Sequence, residues 1–519
     1  MKYPVGIQTF EQLIEEGYVY VDKTDLVYKM VTEGKIYFLS RPRRFGKSLL
    51  ISTLKAYFQG KRELFEGLAI DALETEWNKH AVFHLDFNGK DFTRPEVLEG
   101  AIENFVATAE DEYGKSKRAV TSGDRFAYVL AKAKEKYGRS AVVLVDEYDK
   151  PLLDVMDTPQ EERNRNTLKA FYGVFKLADE SLKFVMLTGV TKFSQVSVFS
   201  GFNQPEDISM VPAYDTLCGI TEEELHSYFA ERIGEMAKAS GKSAEAMFGE
   251  FRSMYDGYHF SKGMRGVYNP FSVLNALKAG EIEDFWFQSG TPTYLVRLME
   301  HFDENMDEMT SRYYTRNQFV DYRADVERPL PMIYQSGYLT IRDYDDFTRS
   351  YRLDFPNNEV RRGFLTMIAA EYLKPHDNTN SWIIAVVRAL RVGDMEQLRK
   401  LMTSFLASIP YTERRKDDER ERERYFHYTF YLILRMISGY TVYTEKAQSE
   451  GRVDCVVETP DYIYVIEFKR DGTAREGIDQ INQKGYAREY EADPRKLYKI
   501  AVNFSSETGT VSDFLAEER

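Results

Sequence analysis

The stretch KIYFLSRPRRFGKSLLISTLKAYFQG, from Lys35 to Gly60, decides how the first half of the chain is read. Its opening, IYFLS, is a continuous apolar run of the kind found in a strand covered on both faces. Its close, SLLISTLKAYF, puts Leu49, Leu50, Leu54, Tyr57 and Phe58 on the apolar faces of a helix, with Gly60 as the stop. Between them lies RPRRFGKS. Strand, tight turn and helix together form the arrangement in which backbone N–H groups and the helix dipole converge on phosphate oxygens. Gly46, Lys47 and Ser48 match the GK[ST] end of the phosphate-loop motif. Lys47 is expected to reach the β and γ phosphates of a nucleotide, and the Ser48 hydroxyl to sit on Mg²⁺. The usual first glycine of that motif falls on Arg41, so the pattern is incomplete, and a GKS after basic residues also fits the start of a surface helix.

A second stretch supplies context. AVVLVDEYD, from Ala141, is an apolar strand running into carboxylates. With a phosphate loop upstream, Asp146 is expected to hold the Mg²⁺ water shell and Glu147 to polarise the water that attacks the γ-phosphate of ATP. The bland alternative is a strand entering an acidic loop. A further strand, LKFVMLTG from Leu182, ends with Thr188, a polar residue placed to contact the γ-phosphate, although Thr is also an ordinary strand residue. The candidate nucleotide contacts are therefore Arg41, Pro42, Arg43, Arg44, Phe45, Gly46, Lys47, Ser48, Leu49 and Thr188. Three arginines beside the phosphates predict triphosphate binding that weakens with salt. No arginine finger is evident, though Arg163 and Arg165 follow the acidic strand and can serve in trans.

Around these stretches, β-rich runs alternate with helical patterns from Lys35 to Leu187, the signature of a parallel sheet covered by helices. From Thr221 longer amphipathic segments take over, with Thr221 and Glu224 spaced as a capping box. MIYQSGYLTIRDYDDFTRSYRLDFPNNEV, from Met332, reads as a β-hairpin between helices, as in winged-helix modules. TERRKDDERERER, Thr412 to Arg424, mixes charges at helical spacing and reads as a solvated helix or linker. A chain of 519 residues exceeds one core. The expected division is 1–215, 216–330, 331–410 and 411–519.

Bulk properties narrow the class. No apolar run approaches the roughly 20 residues that cross a bilayer, and no basic-then-apolar leader opens the chain, so a cytoplasmic protein without a membrane partner is expected. The two cysteines, Cys218 and Cys455, have no metal-ligand spacing and suit a reducing compartment. A net charge of −14 gives no overall attraction to nucleic acid, so any DNA partner needs a local basic surface.

The tail holds a second chemical pattern. Asp454 in GRVDCVV, with Glu467 and Lys469 in VIEFKRD, spells D-(x12)-E-x-K. Residues two apart in a strand share a face, so Glu467 and Lys469 point together and suit a metal ligand with a neighbouring ammonium. Metal-dependent phosphodiester hydrolysis needs such carboxylates and a cation. The same letters also fit the polar face of a half-buried strand. Glu423 and His427 precede them, Glu445 lies before GRVD, and Gln480 with Tyr486 follows. From Tyr425 onward 12 Lys and Arg face 16 Asp and Glu, so no basic stripe marks a DNA grip here.

VDKT at Val21, RPRRFGKSLL, LVDEYDKPL, TGVTKFSQVSVFSGFN at Thr188, and YDGYHF with YNPFSVL after Tyr255 together resemble the bacterial AAA-ATPase-like family, whose members are usually joined to a C-terminal PD-(D/E)XK nuclease-like domain. The resemblance covers nearly the whole chain. It implies an α/β fold: a P-loop NTPase with a parallel, ASCE/AAA-like sheet, a helical and winged-helix-like middle region, and a restriction-endonuclease-like α/β domain. It implies further that Arg41 belongs to a variant cradle, that Lys192 faces the nucleotide unless it is a plain surface lysine, and that Glu423, Asp454 and the E-x-K form a metal site. Two functions stay open: an ATP-hydrolysing module controlling an Mg²⁺-dependent nuclease that acts on DNA, or a nucleotide-dependent signalling or scaffold protein whose tail is a non-catalytic binding module; under either, a homo-oligomer or a protein partner is an open expectation.

Overall fold

The structure is a computed structural model, and it describes residues 1–192, 205–288, 306–320, 329–373, 379–408, 441–448, 451–505, 507–508 and 510–519. The chain divides into two compact units, Met1–Val360 and Arg361–Arg519.

In the first unit, strands β1 (Ile36–Ser40), β2 (Val82–Asp86), β3 (Ala141–Asp146), β4 (Leu182–Gly189) and β5 (Glu206–Asp207) form a sheet in the order β2-β3-β4-β1-β5. Every pairing in it is parallel. Parallel strands must be buried on both faces, and all six residues of β3 are. Burying each such Val or Leu contributes about 1.5–3 kcal/mol relative to leaving it in water. The order has one consequence for chemistry: β4 lies between β1, which feeds the glycine-lysine turn, and β3, which ends in the acids. Residues at the C-terminal ends of these three strands therefore meet at one edge, the place where open α/β sheets bind ligands.

The middle of this unit is helical, as the periodicity predicted. Helix Glu222–Ala239 begins with the expected capping box, Thr221 accepting from the Glu224 N–H while the Glu224 carboxylate accepts from the Thr221 N–H. With helices Ala244–Tyr255 and Pro270–Ala279 it encloses a core of Leu225, Phe229, Ile233, Phe251, Tyr268 and Val273. Two small ladders follow. Strands β6 (Tyr258–His259) and β7 (Gly266–Val267) pair, and β8 (Tyr313–Tyr314) joins the hairpin of β9 (Thr340–Asp345) and β10 (Ser350–Asp354). That hairpin is the one legible from Met332 onward.

In the second unit, β11 (Thr441–Gln448), β12 (Gly451–Glu458), β13 (Tyr462–Arg470), β14 (Lys496–Phe504) and β15 (Val511–Glu518) form a sheet in chain order. Only β13 and β14 run parallel; the other pairs are antiparallel. The crossover between β13 and β14 carries helix Ala474–Gln483, whose Ala474, Ile478 and Ile481 pack with Val456, Val465 and Ala501. At Gly477 the helix approaches so closely that a Cβ would stand 2.7 Å from that of Ala501. The charged run Thr412–Arg424, Glu423 and His427 lie outside the described residues, as does the side chain of Glu445. Among the described residues no helix is long and apolar enough to cross a membrane. Cys218 and Cys455 are both buried.

Candidate functional site

The turn after β1 works by dividing its side chains between two faces. Arg44 and Gly46 take left-handed backbone conformations, φ 68° and 87°. These two positions bend the chain so that helix Lys47–Phe58 starts directly on the loop, with Gly46 as its N-cap. Arg43, Arg44, Gly46, Lys47, Ser48 and Leu49 line a cavity of about 680 Å³. Pro4 to Gln8, the helix residues Phe271, Leu274 and Asn275, and Glu147 with the Lys150–Asp154 ion pair complete its lining.

The loop's other residues turn away from the cavity. Phe45 is 1% exposed and packs edge-on against Tyr258 and Phe260, ring centroids 4.7 and 5.6 Å away. Pro42 lies against Gly337, where a Cβ would come within 2.6 Å of the proline's. The Arg41 guanidinium points into the protein core, donating to the carbonyls of Ser40, Ser209 and Tyr214. The expectation that the Arg41 side chain adds charge beside the phosphates is thereby corrected: three carbonyls and an aromatic ring hold it inside, and Arg43 and Arg44 are the arginines at the cavity. Arg44 lies over the Phe271 ring, 5.0 Å from its centroid.

Lys47 is buried, its Nζ 3.1 Å from the carbonyls of both Arg41 and Pro42 and 3.8 Å from Glu147 Oε1. The ammonium thus stands between the loop and the acid at the end of β3, where a polyphosphate would compete for its N–H groups. Glu147 itself sits at φ 52°, a left-handed position that costs a non-glycine residue energy and turns its carboxylate to the cavity. Asp146 is 2% exposed and accepts at Oδ1 from the Thr188 hydroxyl at 2.6 Å and from the Glu147 N–H at 3.1 Å. Thr188, expected at the γ-phosphate, is fully buried, and its hydroxyl hydrogen is committed to Asp146. It orients the acid from the neighbouring strand.

Two residues have partners that sequence reasoning missed. Lys192 is no surface lysine: it is 7% exposed and pairs with Asp207 at 2.7 Å. Asp149, the last acid of DEYD, is fully buried and accepts at Oδ2 from the N–H groups of Val190 and Thr191 and from the Thr191 hydroxyl. Burial, and next the charge of Glu147, push its carboxyl up to about 7. Its role is to tie the chain leaving β4 to the acidic turn leaving β3. The only sequence signal was its place two residues after Glu147. Arg163 and Arg165 are both ion-paired within the chain, to Glu99 and Glu161 respectively.

In the tail, β12 and β13 bring Asp454 beside the E-x-K. Asp454 Oδ2 accepts from the Phe468 N–H at 2.7 Å. Glu467 is 2% exposed, and its Oε1 accepts from Lys469 Nζ at 3.1 Å and from the Gln480 amide. Lys469 also donates to Gln480 Oε1 at 2.6 Å, so Gln480 on helix Ala474–Gln483 clamps the pair from above. Glu467 Oε2 is buried with no hydrogen-bond partner among the described residues. Burial, with the Asp454 charge second, pushes the Glu467 carboxyl up to about 7. An orphaned buried carboxylate oxygen beside a second acid is what a divalent cation would satisfy. Among the described residues no three acids, histidines or cysteines converge as a metal cluster; the described centre is Asp454, Glu467 and Lys469.

Fold and site define a nucleotide-dependent protein with a nuclease-like tail. The comparisons agree. Residues 4–199 match the family described as Predicted AAA-ATPase, and residues 421–514 match the PD-(D/E)XK nuclease superfamily. The chain is also 34% identical over 526 residues to a protein of Azotobacter chroococcum mcd 1, described as "Uncharacterized protein in vnfD 5'region", with 99% of each chain covered. The chain belongs to the AAA-ATPase-like family and carries a C-terminal PD-(D/E)XK nuclease-superfamily domain.

Proposed function

We propose that the protein binds and hydrolyses ATP at the Lys47 cavity and that nucleotide state controls an Mg²⁺-dependent nuclease centre at Asp454, Glu467 and Lys469 that acts on DNA. The observation that carries the first half is the meeting of Lys47, Ser48 and Glu147 on one cavity, with Asp146 fixed behind them by Thr188. Lys47 and the loop N–H groups bind the phosphates, Arg43 and Arg44 add positive charge at the cavity, and Glu147 takes a proton from the attacking water. Ser48 and Asp146 would hold Mg²⁺, which supplies charge neutralisation on the phosphate oxygens.

The second half is supported by the orphaned Glu467 oxygen. Asp454 and Glu467, with Glu423 as expected from the sequence, would hold the tail's metal, which supplies Lewis-acid polarisation of a phosphodiester; Lys469, held by Gln480, orients water or meets developing charge. The hairpin of β9 and β10, the winged-helix-like element of the sequence, is the candidate contact to DNA.

Purified full-length protein with Mg²⁺ and ATP is expected to cleave DNA, and Lys469→Ala to abolish cleavage while ATP binding persists. Wild-type protein that leaves every form of DNA and RNA intact would instead make the tail a binding module.

A further inference from the structure

Arg41 occupies the place of the phosphate loop's usual first glycine, and its geometry gives that substitution a function. Arg41 is not among the residues with positive φ; the loop makes its left-handed turns at Arg44 and Gly46. A glycine at 41 is therefore not needed for backbone reasons, which frees the position for a side chain.

That side chain is held through both terminal nitrogens, its Nε having no hydrogen-bond partner among the described residues. Arg41 is 1% exposed, with one guanidinium nitrogen donating to Ser209 O at 2.8 Å and Ser40 O at 3.0 Å and the other to Tyr214 O at 3.1 Å. Its planar face lies over Phe260, 4.0 Å from the ring centroid. Asp215, one residue past Tyr214, holds the Ser261 hydroxyl at 2.6 Å next to Phe260. The guanidinium thus joins the strand end, the segment after β5, and the YDGYHF motif.

The same residue's main chain faces the reacting side. Its N–H donates to Gly189 O at 3.2 Å, one residue past Thr188, the hydroxyl that orients Asp146. Its carbonyl, with that of Pro42, receives the Lys47 ammonium. One residue therefore sets where Lys47 rests and how far the loop stands from the acid-bearing strands.

We propose that Arg41 is the positioning residue of this cradle, replacing the glycine turn with a guanidinium bolt, so that restoring the glycine disables the phosphate site. The inference rests on the reading that the cavity takes a nucleoside triphosphate. Its chemical signature is specific: Arg41→Gly leaves a guanidinium-sized space bounded by three carbonyls and an aromatic face, which free guanidinium ion fits and ammonium does not.

The test measures MgATP binding and steady-state hydrolysis for wild type, Arg41→Gly and Phe260→Leu, together with their thermal midpoints. Arg41→Gly is expected to raise KM for ATP by about tenfold or more, the scale of losing one buried hydrogen-bond network. Low-millimolar guanidinium should lower that KM again, and ammonium should not, a rescue that loss of fold stability alone would not produce. Wild-type KM in Arg41→Gly, or a raised KM that guanidinium leaves unchanged, overturns the inference. If Arg41→Gly does not fold, Phe260→Leu decides, with a severalfold rise in KM expected and a wild-type KM contradicting it. Wild-type protein that binds no ATP would refute the nucleotide reading itself, an outcome separate from either.

Discussion

Glu359 is the residue whose ionisation should be felt most clearly in stability. It is fully buried, Oε1 accepting from the Trp286 N–H at 2.6 Å and Oε2 from the Ser272 hydroxyl at 2.8 Å. Burial pushes its carboxyl up to about 7 from an ordinary 4.5. That difference, at about 1.4 kcal/mol per pKa unit, is worth about 3 kcal/mol. The folded state holds the proton more tightly than the unfolded one, so between pH 4.5 and 7 it carries more protons, and stability falls as pH rises through that window. Above pH 7 the full cost of the buried charge is present. Glu359→Gln stays neutral at every pH. Its carbonyl can still accept from Trp286, and its amide can donate to the Ser272 oxygen. The variant is expected to match wild type near pH 4.5 and to exceed it by about 3 kcal/mol at pH 8. Urea unfolding followed by tryptophan fluorescence at the two pH values measures this, and titrations common to both proteins cancel in the difference. A variant less stable at both pH values, or one whose difference from wild type does not change with pH, would refute the reasoning. The site also touches the cradle, because the Trp286 indole donates to Arg43 O at 3.3 Å.

Two other substitutions probe how the site is held. Gly337→Ala places a Cβ 2.6 Å from that of Pro42 at a backbone φ of 89°, and it is expected to cost about 1–3 kcal/mol in unfolding free energy and to raise KM for ATP, both of which a denaturant series with ATPase kinetics would show. Thr188→Val removes the donor that fixes Asp146 while keeping the strand's shape, so kcat should fall by about tenfold with ATP binding retained; an unchanged kcat in a titrated, folded variant would mean that Asp146 needs no such support.

The strands of the first sheet were legible because a parallel strand covered on both faces must be apolar throughout, and KIYFLS, AVVLVDEYD and LKFVMLTG carry that mark without a turn signal inside them. The Lys47 loop and the Asp146–Glu147 pair were legible for a related reason: each sits within a few residues of its own strand, so local sequence contains the whole motif. The E-x-K of the tail was legible through strand alternation alone. What could not be read is whatever depends on distant residues. The partners of Arg41 at Ser209 and Tyr214 lie 168 and 173 positions away, and nothing in RPRRFGKS distinguishes an arginine bound to carbonyls from one facing phosphate. Thr188 bonds Asp146 only because β4 lies beside β3, an order that composition does not encode. Lys192 became a buried ion pair because β5 brings Asp207 to it, which a lysine in a loop gives no sign of.

The central claim is that the cavity at the ends of β1, β3 and β4 turns over ATP with Glu147 as its base. The most direct test is release of labelled phosphate from γ-labelled MgATP by wild type and by Glu147→Gln, alongside equilibrium binding of the same nucleotide. Both proteins are expected to bind ATP, and Glu147→Gln to lose turnover by about a hundredfold or more. A Glu147→Gln variant that hydrolyses ATP at the wild-type rate would contradict the assignment.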